Sequence, residues 1–485
     1  MRPALALAAA LAAGCASIDS PFEAHLASAD EQVSVCARWY QALDRAVDAA
    51  GVRDAQDTRV PGFPYLRVNR LLASLRDRAA ASDAGLRAFA GRLAELDLAA
   101  RRAEIENLPE WKGPRSAGLK RTSDCAQVLR ARDLAEPRAR AALLAQAEVP
   151  DDYSTAQRVL GLYWLTRIPF AQGVRRWESD TRAVFSGNSK EERGAVRFAP
   201  PALPVLARET VAGLLARARL DPLGVPELSE RELELVAAAY APSFDVEIAG
   251  DFDRFGELRW RPNAGLPDID ATVPAVYVHA AHTRVGGQVL LQIVYSLWFP
   301  ERPSQGALDV LAGRYDAVLW RVALSPQGEP LMYDSIHGCG CYHQFLPTAR
   351  AEPRPAPSRI EEWAFVPARL PRIAEGERPL VRLASATHYL AGVGVVRGAD
   401  SLVRYELKPY DALRSLPLPR GGHRSAFAPD GLMPGSARPE RFLFWPMGIA
   451  SAGAMRQWGR HATAFVGRRH FDDADLLERR FSFAP

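Results

Sequence analysis

The chain has 485 residues, of which 48% are hydrophobic and 24% charged, and its formal net charge is +4 at pH 7. These are ordinary values for a globular protein, and the length is enough for two or three domains with cores of their own. So small a charge on so long a chain argues against a protein that binds nucleic acid electrostatically.

The first residues are typical of an export signal. Arg2 is followed by an apolar run over residues 4–13 and then by small residues as far as Ala16. The run is too short to span a bilayer, which needs roughly 20 apolar residues. We therefore predict that this segment is removed when the protein is exported.

Residues 11–15 (LAAGC) resemble the lipobox of bacterial lipoproteins, in which the cysteine is lipidated and becomes the new N-terminus. The resemblance covers only the leader, residues 1–15, and departs from the pattern at Ala12, where a larger aliphatic residue is usual. It implies a lipid anchor on Cys15. Because Ala16 stands where aspartate would favour retention in the inner membrane, it also implies an outer-membrane protein that faces the periplasm. Cleavage after Ala16 would instead release a soluble periplasmic protein.

Residues 28–240 have the pattern of a helical domain. One apolar stripe recurs at spacings of three and four residues between Val33 and Val47, and residues 84–107 repeat it. A helix capped near Asp152 is expected to kink or end near Pro169, and a capping-type sequence at 229–232 opens a further helix. The segments are amphipathic, so we predict that they pack together as a bundle-like unit.

Near residue 243 the apolar period changes from about 3.6 to 2, which is typical of strands. Residues 289–299 alternate with one wholly apolar face, and residues 318–324 and 331–336 follow as two more strands around a turn at 325–328. Further strands are predicted at 243–260, 274–280 and 383–396. Hairpin-like connections favour an antiparallel sheet, so we predict an antiparallel β-rich domain over 243–405.

The remaining segment, 406–485, is rich in proline and glycine and is predicted to be a loop-rich C-terminal extension. Asp472 and Asp473 are expected to cap a short terminal helix. The predicted fold class is therefore α+β, with an N-terminal helical unit packed beside an antiparallel β-rich unit.

Four cysteines remain besides Cys15. In an oxidising compartment Cys36 and Cys125 can form a disulfide inside the helical domain, although four cysteines allow three pairings. The other two, Cys339 and Cys341, belong to a different kind of motif.

The motif His337-Gly338-Cys339-Gly340-Cys341-Tyr342-His343 places four metal-competent side chains within seven residues. Imidazole and thiolate are the ligands that zinc and copper prefer, so we predict a transition-metal site with His337, Cys339, Cys341 and His343 as ligands. In a straight strand the outer two would stand about 20 Å apart, so the chain must curl. Glycines at 338 and 340 permit such a curl just past a strand end.

A second interpretation is a cysteine-dependent enzyme of the cell envelope. One cysteine of the motif would be the nucleophile, with His388 or His343 as the base and Asp334 orienting that base. No cysteine is predicted at a helix N-terminus, where thiols are often activated.

A third interpretation is structural. Cys339 and Cys341 would form a bridge with each other, or pair with Cys36 or Cys125, in a non-catalytic scaffold or partner-binding lipoprotein.

Six further histidines follow residue 278 in apolar or basic surroundings: His279, His282, His388, His423, His461 and His470. The first two would face opposite ways on one strand and meet solvent at its end, and His388 is expected to be a hydrogen-bonded core residue. Arginines near the last two can hold a phosphate or lipid headgroup, or can form a solvated face.

The sequence contains no Walker loop, HExxH, CxxCH, GxSxG or SxxK motif. These absences weigh against nucleotide-driven enzymes, cytochromes and the common hydrolases, so no nucleotide partner is expected.

Overall fold

The structure is a computed structural model that describes residues 21–187, 194–201, 206–262, 265–374, 376–397 and 403–484. The predicted export signal and the predicted lipidation site, Cys15, lie outside the described residues. Among the residues that are described, no helix combines the length and the apolar character needed to cross a bilayer.

The described residues form a mixed α+β fold, as predicted. The helices are α1 (Pro21–Leu26), α2 (Glu31–Ala50), α3 (Arg70–Ala73), α4 (Arg76–Ala80), α5 (Asp83–Asn107), α6 (Arg115–Ala135), α7 (Pro137–Gln146), α8 (Thr155–Leu160), α9 (Tyr163–Ser186), α10 (Arg208–Ala218), α11 (Glu230–Tyr240), α12 (Arg441–Phe444) and α13 (Leu476–Arg480). The strands are β1 (Thr58–Val60), β2 (Phe63–Val68), β3 (Ala195–Ala199), β4 (Ser243–Glu247), β5 (Glu257–Arg259), β6 (Asp268–Asp270), β7 (Ala275–Val285), β8 (Gln288–Arg302), β9 (Gly313–Leu324), β10 (Pro330–His337), β11 (Gln344–Pro347), β12 (Ala351–Pro353), β13 (Glu377–Leu383), β14 (Leu390–Arg397), β15 (Val403–Arg404), β16 (Glu406–Pro409), β17 (Leu416–Pro417), β18 (His423–Arg424) and β19 (Phe481–Phe483).

The predicted disulfide is present. Cys36 on α2 and Cys125 on α6 are bonded, with their Cα atoms 5.0 Å apart. Both lie in one apolar cluster with Tyr40 and Leu129, because the stripe predicted on α2 is the face that it buries. The bond therefore joins two helices that already pack against each other.

The helical region also contains a hairpin, β1–β2, that the sequence pattern did not indicate. Arg67 on β2 is fully buried and donates hydrogen bonds to Asp97 at 3.2 Å and Glu104 at 2.5 Å, both on α5. A short strand that buries an arginine shows no apolar alternation, so its sequence resembles a loop.

The helix expected to kink or end near Pro169 is interrupted earlier. Gly161 separates α8 from α9, and a Cβ atom there would lie 2.6 Å from Pro446 Cα. Leu162 then takes a left-handed conformation with φ of 48°. Helix α9 runs through Pro169 to Ser186, because one proline removes only a single helical hydrogen bond. The break at Gly161 instead follows from its tertiary contact with Pro446.

Two sheets enclose the main core. The first has the order β11-β10-β9-β8-β7-β16 and is antiparallel from β7 to β11, as predicted, while β16 joins β7 in parallel. The second has the order β14-β13-β4-β3-β15, so a strand from the mainly helical region, β3, belongs to it. Phe244 on the second sheet packs in one cluster with Tyr295 and Trp320 on the first, and α10 and α11 contribute to the same core.

The C-terminal segment is loop-rich, as predicted, but it packs on the first sheet rather than extending from the fold. Met455 lies in a cluster with Ala317, and Phe471 lies in another with Leu319 and Ile336. The terminal helix α13 begins after Asp475, not after the predicted caps. Asp473 accepts a hydrogen bond from the His470 backbone instead, since that loop needs the same carboxylate.

Candidate thiol site

The motif at 337–343 forms the tight turn between β10 and β11. The backbone N–H of His337 donates to the carbonyl of Cys341 at 2.9 Å, and that of Gly340 donates to the carbonyl of His337 at 2.8 Å. The chain therefore curls just past the strand end, as the glycines at 338 and 340 predict.

The turn requires glycine at both 338 and 340, for a different reason at each position. Gly340 has φ of +93°, and a Cβ atom on it would lie 2.3 Å from the Ala462 carbonyl oxygen. A Cβ atom on Gly338 would lie 2.7 Å from the Cβ of Ala317 on the neighbouring strand. The first glycine permits the turn and the second permits close approach of β9.

The turn brings the two sulfurs of the motif together. Cys339 is buried and Cys341 is half-buried, and both are free thiols. The backbone N–H of Cys341 donates to Cys339 Sγ at 3.4 Å. A side-chain hydrogen bond from the Cys341 thiol lowers the pKa of Cys339, and the same bond raises the pKa of Cys341. Because Cys36 and Cys125 are bonded to each other, neither is available to pair with these thiols.

The two histidines of the motif lie on opposite faces of the first sheet. His337 is opposite Val318, which belongs to the main core, and its Nδ1 lies 3.4 Å from Asp316 Oδ1. Ile336 points to the other face, against Phe471. The His343 ring also packs on Phe471, so it lies on that other face.

His343 is held by the carboxylate predicted to orient a base. Its Nε2 lies 3.1 Å from Asp334 Oδ2, and Arg321 donates to the same carboxylate. Burial lowers the pKa of His343 to about 3, so its imidazole is neutral. Within the described residues Nδ1 is buried and has no hydrogen-bond partner. A neutral imidazole whose Nε2–H donates to Asp334 presents Nδ1 as an acceptor.

The structure therefore brings the two thiols together and separates the two imidazoles. Over the ranges that the structure describes, no three His, Cys, Asp or Glu side chains form a group suited to holding a metal ion. The four-ligand zinc or copper site stays a prediction.

A cavity of about 430 Å³ adjoins the turn. Cys341, Tyr342 and His343 form part of its wall, and residues of α9 form another part. Most of the remaining wall is aromatic or aliphatic, and it includes Phe170, Val174, Trp177, Phe365, Phe444, Ile449 and Phe465. A concave site of this size, apolar with a few polar groups, suits a small organic ligand.

Three carboxyl groups also line the cavity: Glu178, Glu362 and Glu440. Burial raises the pKa of each, and that of Glu440 reaches about 7 although Arg438 opposes the change. At neutral pH Glu440 is therefore partly protonated and can exchange a proton with a ligand. Its negative form also raises the pKa of both cysteines.

The predicted base His388 does not belong to this cavity. It is fully buried, with Nδ1 2.9 Å from Asp316 Oδ2 and Nε2 3.2 Å from the Phe252 carbonyl oxygen. Burial lowers the pKa of His388, but hydrogen bonds to Asp253 and Asp316 outweigh this effect and raise it. It is the hydrogen-bonded core histidine that was expected.

His279 and His282 both lie within β7 rather than at a solvated strand end. The His279 ring packs against Tyr410 and Trp458, while His282 Nε2 lies 3.1 Å from the Pro226 carbonyl oxygen. Burial lowers the pKa of His279 to about 3 and that of His282 to about 4. Both are therefore neutral, and both are half-buried.

The last two histidines differ from each other. His461 is buried and neutral, with its pKa lowered by burial to about 3. His470 lies 3.4 Å from Asp151 and 3.5 Å from Asp473. Burial alone would lower the pKa of His470, but hydrogen bonds to these carboxylates outweigh it and raise the pKa to about 9.

Sequence reasoning missed the walls of the cavity. Trp177 and Glu178 lie on α9 beyond Pro169, where the sequence pattern predicts a kink or the end of a helix, and Glu440 lies in the segment predicted to be loop-rich. The available signal was weak: a glutamate within an otherwise apolar and arginine-rich stretch. Their position beside Cys341 depends on contacts more than 90 residues apart in the chain.

Comparison with protein-family models, with curated proteins and with solved structures finds no match to this chain.

Proposed function

We propose that this protein is a cysteine-dependent enzyme that carries out thiol–disulfide exchange with an apolar disulfide compound. The observation that carries the proposal is the hydrogen-bonded pair of free thiols, Cys339 and Cys341, at the wall of an aromatic cavity. Two thiols this close can form a disulfide with each other, whereas catalysis by a single nucleophilic cysteine needs no second thiol.

The pair provides its own base. Cys341 faces the cavity, and Cys339, whose pKa is lowered, accepts the proton of the Cys341 thiol as its sulfur attacks one sulfur of the ligand. The ligand disulfide breaks, one half leaves as a thiolate that takes a proton from water, and the other half is bound to Cys341. Cys339 then attacks the Cys341 sulfur, and the proton of Cys339 passes to the second half, which leaves as a thiol. The net change is two protein thiols oxidised to a disulfide and one ligand disulfide reduced to two thiols, and an external dithiol restores the protein.

The cavity supports the choice of an apolar ligand. Aromatic side chains such as Trp177 and Phe365 line it, and the raised pKa of Glu440 makes a neutral ligand compatible with the acidic groups there. His343 Nδ1 is buried without a partner among the described residues and can accept one hydrogen bond from the ligand.

The proposal is tested with 2,2′-dithiodipyridine, a neutral aromatic disulfide that releases thiopyridone. All proteins carry Cys15→Ser, so that only the motif thiols are free. We expect two thiopyridones per chain and a new Cys339–Cys341 disulfide by mass spectrometry. Cys341→Ser should release almost none, and Cys339→Ser should release one and retain the other half as a mixed disulfide.

A cavity-filling pair of variants tests the site of reaction. Gly173 on α9 lines the cavity, Gly213 on α10 does not, and a Cβ atom on either would meet nothing within 4 Å. Gly173→Phe should slow thiopyridone release by about tenfold, while Gly213→Phe should leave it unchanged. Equal rates in both variants, or a native protein no faster than the urea-unfolded chain, would contradict the proposal.

The metal hypothesis is a second candidate, reduced to a two-sulfur site. Soft thiolate and thioether ligands favour Cu(I). The thioether of Met455 lies beside the same turn, since its Sδ would be 3.0 Å from a Cβ atom added to Gly338. Elemental analysis after purification without chelators separates the two functions. One copper per chain, lost in Cys339→Ser and blocking thiopyridone release, would favour the copper site, whereas metal-free protein with two reactive thiols favours the enzyme.

We also propose that the protein works in the bacterial envelope, with the lipid anchor on Cys15 that the resemblance to lipoproteins implies. Labelling with a radioactive fatty acid and membrane fractionation test this. Label and membrane association should both be lost in Cys15→Ser, and an unlabelled wild-type protein in the soluble periplasmic fraction would contradict the anchor.

A further inference from the structure

An exposed apolar surface adjoins the cavity. Large apolar side chains on α8, α9 and α12 point to solvent, among them Leu160 (76% exposed), Trp164 (67%) and Phe442 (68%). We call this surface the apolar patch and define it by Leu160, Trp164, Leu165, Ile168, Phe442 and Leu443. Contiguous apolar surface of this kind marks an interaction site in a soluble protein.

Helix α9 is apolar on two opposite sides. Phe170, Val174 and Trp177 recur at helical spacing and line the cavity. Trp164 and Ile168, four residues apart, lie on the other side and are exposed. An amphipathic helix needs only one apolar face to pack on its protein, so the second face is available to something else.

The two parts of the patch belong to one surface. Gly161, between α8 and α9, is so close to Pro446 that a Cβ atom would lie 2.6 Å from its Cα. The rings of Phe170 and Phe444 are 5.2 Å apart. These contacts place α12 directly beside the start of α9.

The segments that carry the patch hold charges of one sign. Arg175, Arg176 and Arg441 are exposed there. The sequence has no aspartate or glutamate at 153–177 or at 441–471, the segments that carry the patch and its surroundings. Arg176 and Arg441 form no ion pair within the described residues. Exposed tryptophan, phenylalanine and leucine bordered by arginine are the composition of surfaces that lie in an anionic membrane interface.

We infer that the apolar patch docks this protein on the surface of an anionic lipid bilayer. The apolar side chains enter the boundary between headgroups and acyl chains, and the arginines contact the phosphates. Because the other face of α9 lines the cavity, docking places the cavity next to the membrane, from which an apolar ligand can enter. The inference does not depend on the thiol chemistry.

The test is flotation of the full chain carrying Cys15→Ser, so that no acyl anchor contributes. We expect binding to vesicles of equal parts phosphatidylglycerol and phosphatidylcholine, and weaker binding to pure phosphatidylcholine. Trp164→Ser with Phe442→Ser should lower the partition coefficient at least about tenfold. The matched control is Leu220→Ser, two residues after the end of α10, which removes a leucine that is 83% exposed outside the patch and should not change the partition coefficient.

Three results would overturn the inference. They are no binding to anionic vesicles, an equal loss in Leu220→Ser, or a patch-dependent dimer in size-exclusion chromatography without vesicle binding. The patch variants should release thiopyridone at the wild-type rate in vesicle-free buffer. Failure of docking and failure of the thiol chemistry are therefore separate observations.

Discussion

Asp334→Asn should destabilise the protein strongly, because it leaves a buried cation unpaired. Asp334 is 2% exposed, and its carboxylate accepts two hydrogen bonds from Arg321, at 2.9 and 2.5 Å. Burial raises the pKa of Asp334, but the charges of Arg321 and the hydrogen bond from His343 outweigh it, so the pKa lies below its usual value. Asparagine keeps the shape and one acceptor but removes the charge.

The expected loss of stability follows from the groups that remain around Arg321 after the substitution. Its guanidinium lies 3.7 Å from the centre of the Phe471 ring, and after the substitution the Phe471 carbonyl is its main remaining acceptor. Removing one partner of a buried ion pair costs about 3–5 kcal/mol. We expect urea unfolding to show a free energy of unfolding lower by about 3 kcal/mol, since asparagine retains one hydrogen bond.

Two controls make the result decisive. Arg197 donates to Asp245 with the same two-bond geometry, at 2.7 and 2.8 Å, but its side chain is 34% exposed, so Asp245→Asn should cost less than about 1 kcal/mol. Replacing both Arg321 by Met and Asp334 by Leu should recover stability to within about 2 kcal/mol of wild type. A loss in Asp334→Asn no larger than that in Asp245→Asn would refute the reasoning.

Three further outcomes are expected. The double variant Cys36→Ser and Cys125→Ser opens a loop whose ends are 89 residues apart. Its free energy of unfolding, measured in urea under non-reducing conditions, should be lower by about 4–5 kcal/mol. An unchanged urea midpoint would contradict this. The ion pairs of His470 raise its pKa from 6.5 to about 9, so their stabilisation is fully present below pH 6.5 and is lost as the pH rises through 9. Thermal unfolding should therefore show a loss of about 2–3 kcal/mol over that interval, absent in His470→Asn. Gly340 has φ of +93°, and a Cβ atom on it would lie 2.3 Å from the Ala462 carbonyl oxygen. Gly340→Ala should therefore lower the free energy of unfolding by at least about 2 kcal/mol and reduce thiopyridone release to one per chain. Unchanged release would show that the turn does not hold the sulfurs together.

Local pattern was sufficient for much of the fold. The strand predicted at 289–299 lies within β8, and the stripe from Val33 to Val47 is the buried face of α2. The box at Ser229 and Glu232 caps α11 as expected. These features depend on side chains only a few residues apart, so their periodicity is visible in the sequence.

The candidate site was only partly visible. The glycines of the motif indicated a curl at the end of β10, and the curl brings Cys339 and Cys341 together. The same pattern could not say where the two imidazoles point, because that depends on which residue ends the strand and on which carboxylates lie nearby. Asp334 was recognised as a partner for a histidine, whereas Asp316, which lies beside His337 and His388, was not.

The amino-acid sequence by itself determined the α+β class and the bend that joins two thiols, because both follow from spacing and residue type within short segments. The tertiary structure decided among the possible cysteine pairings, since Cys36 and Cys125 are 89 residues apart in the chain. Only the tertiary structure decided that the bend borders a cavity, that His343 is neutral while Glu440 has a pKa of about 7, and that one face of α9 is left uncovered. Burial and proximity between distant segments set these properties, and neither is a property of local sequence.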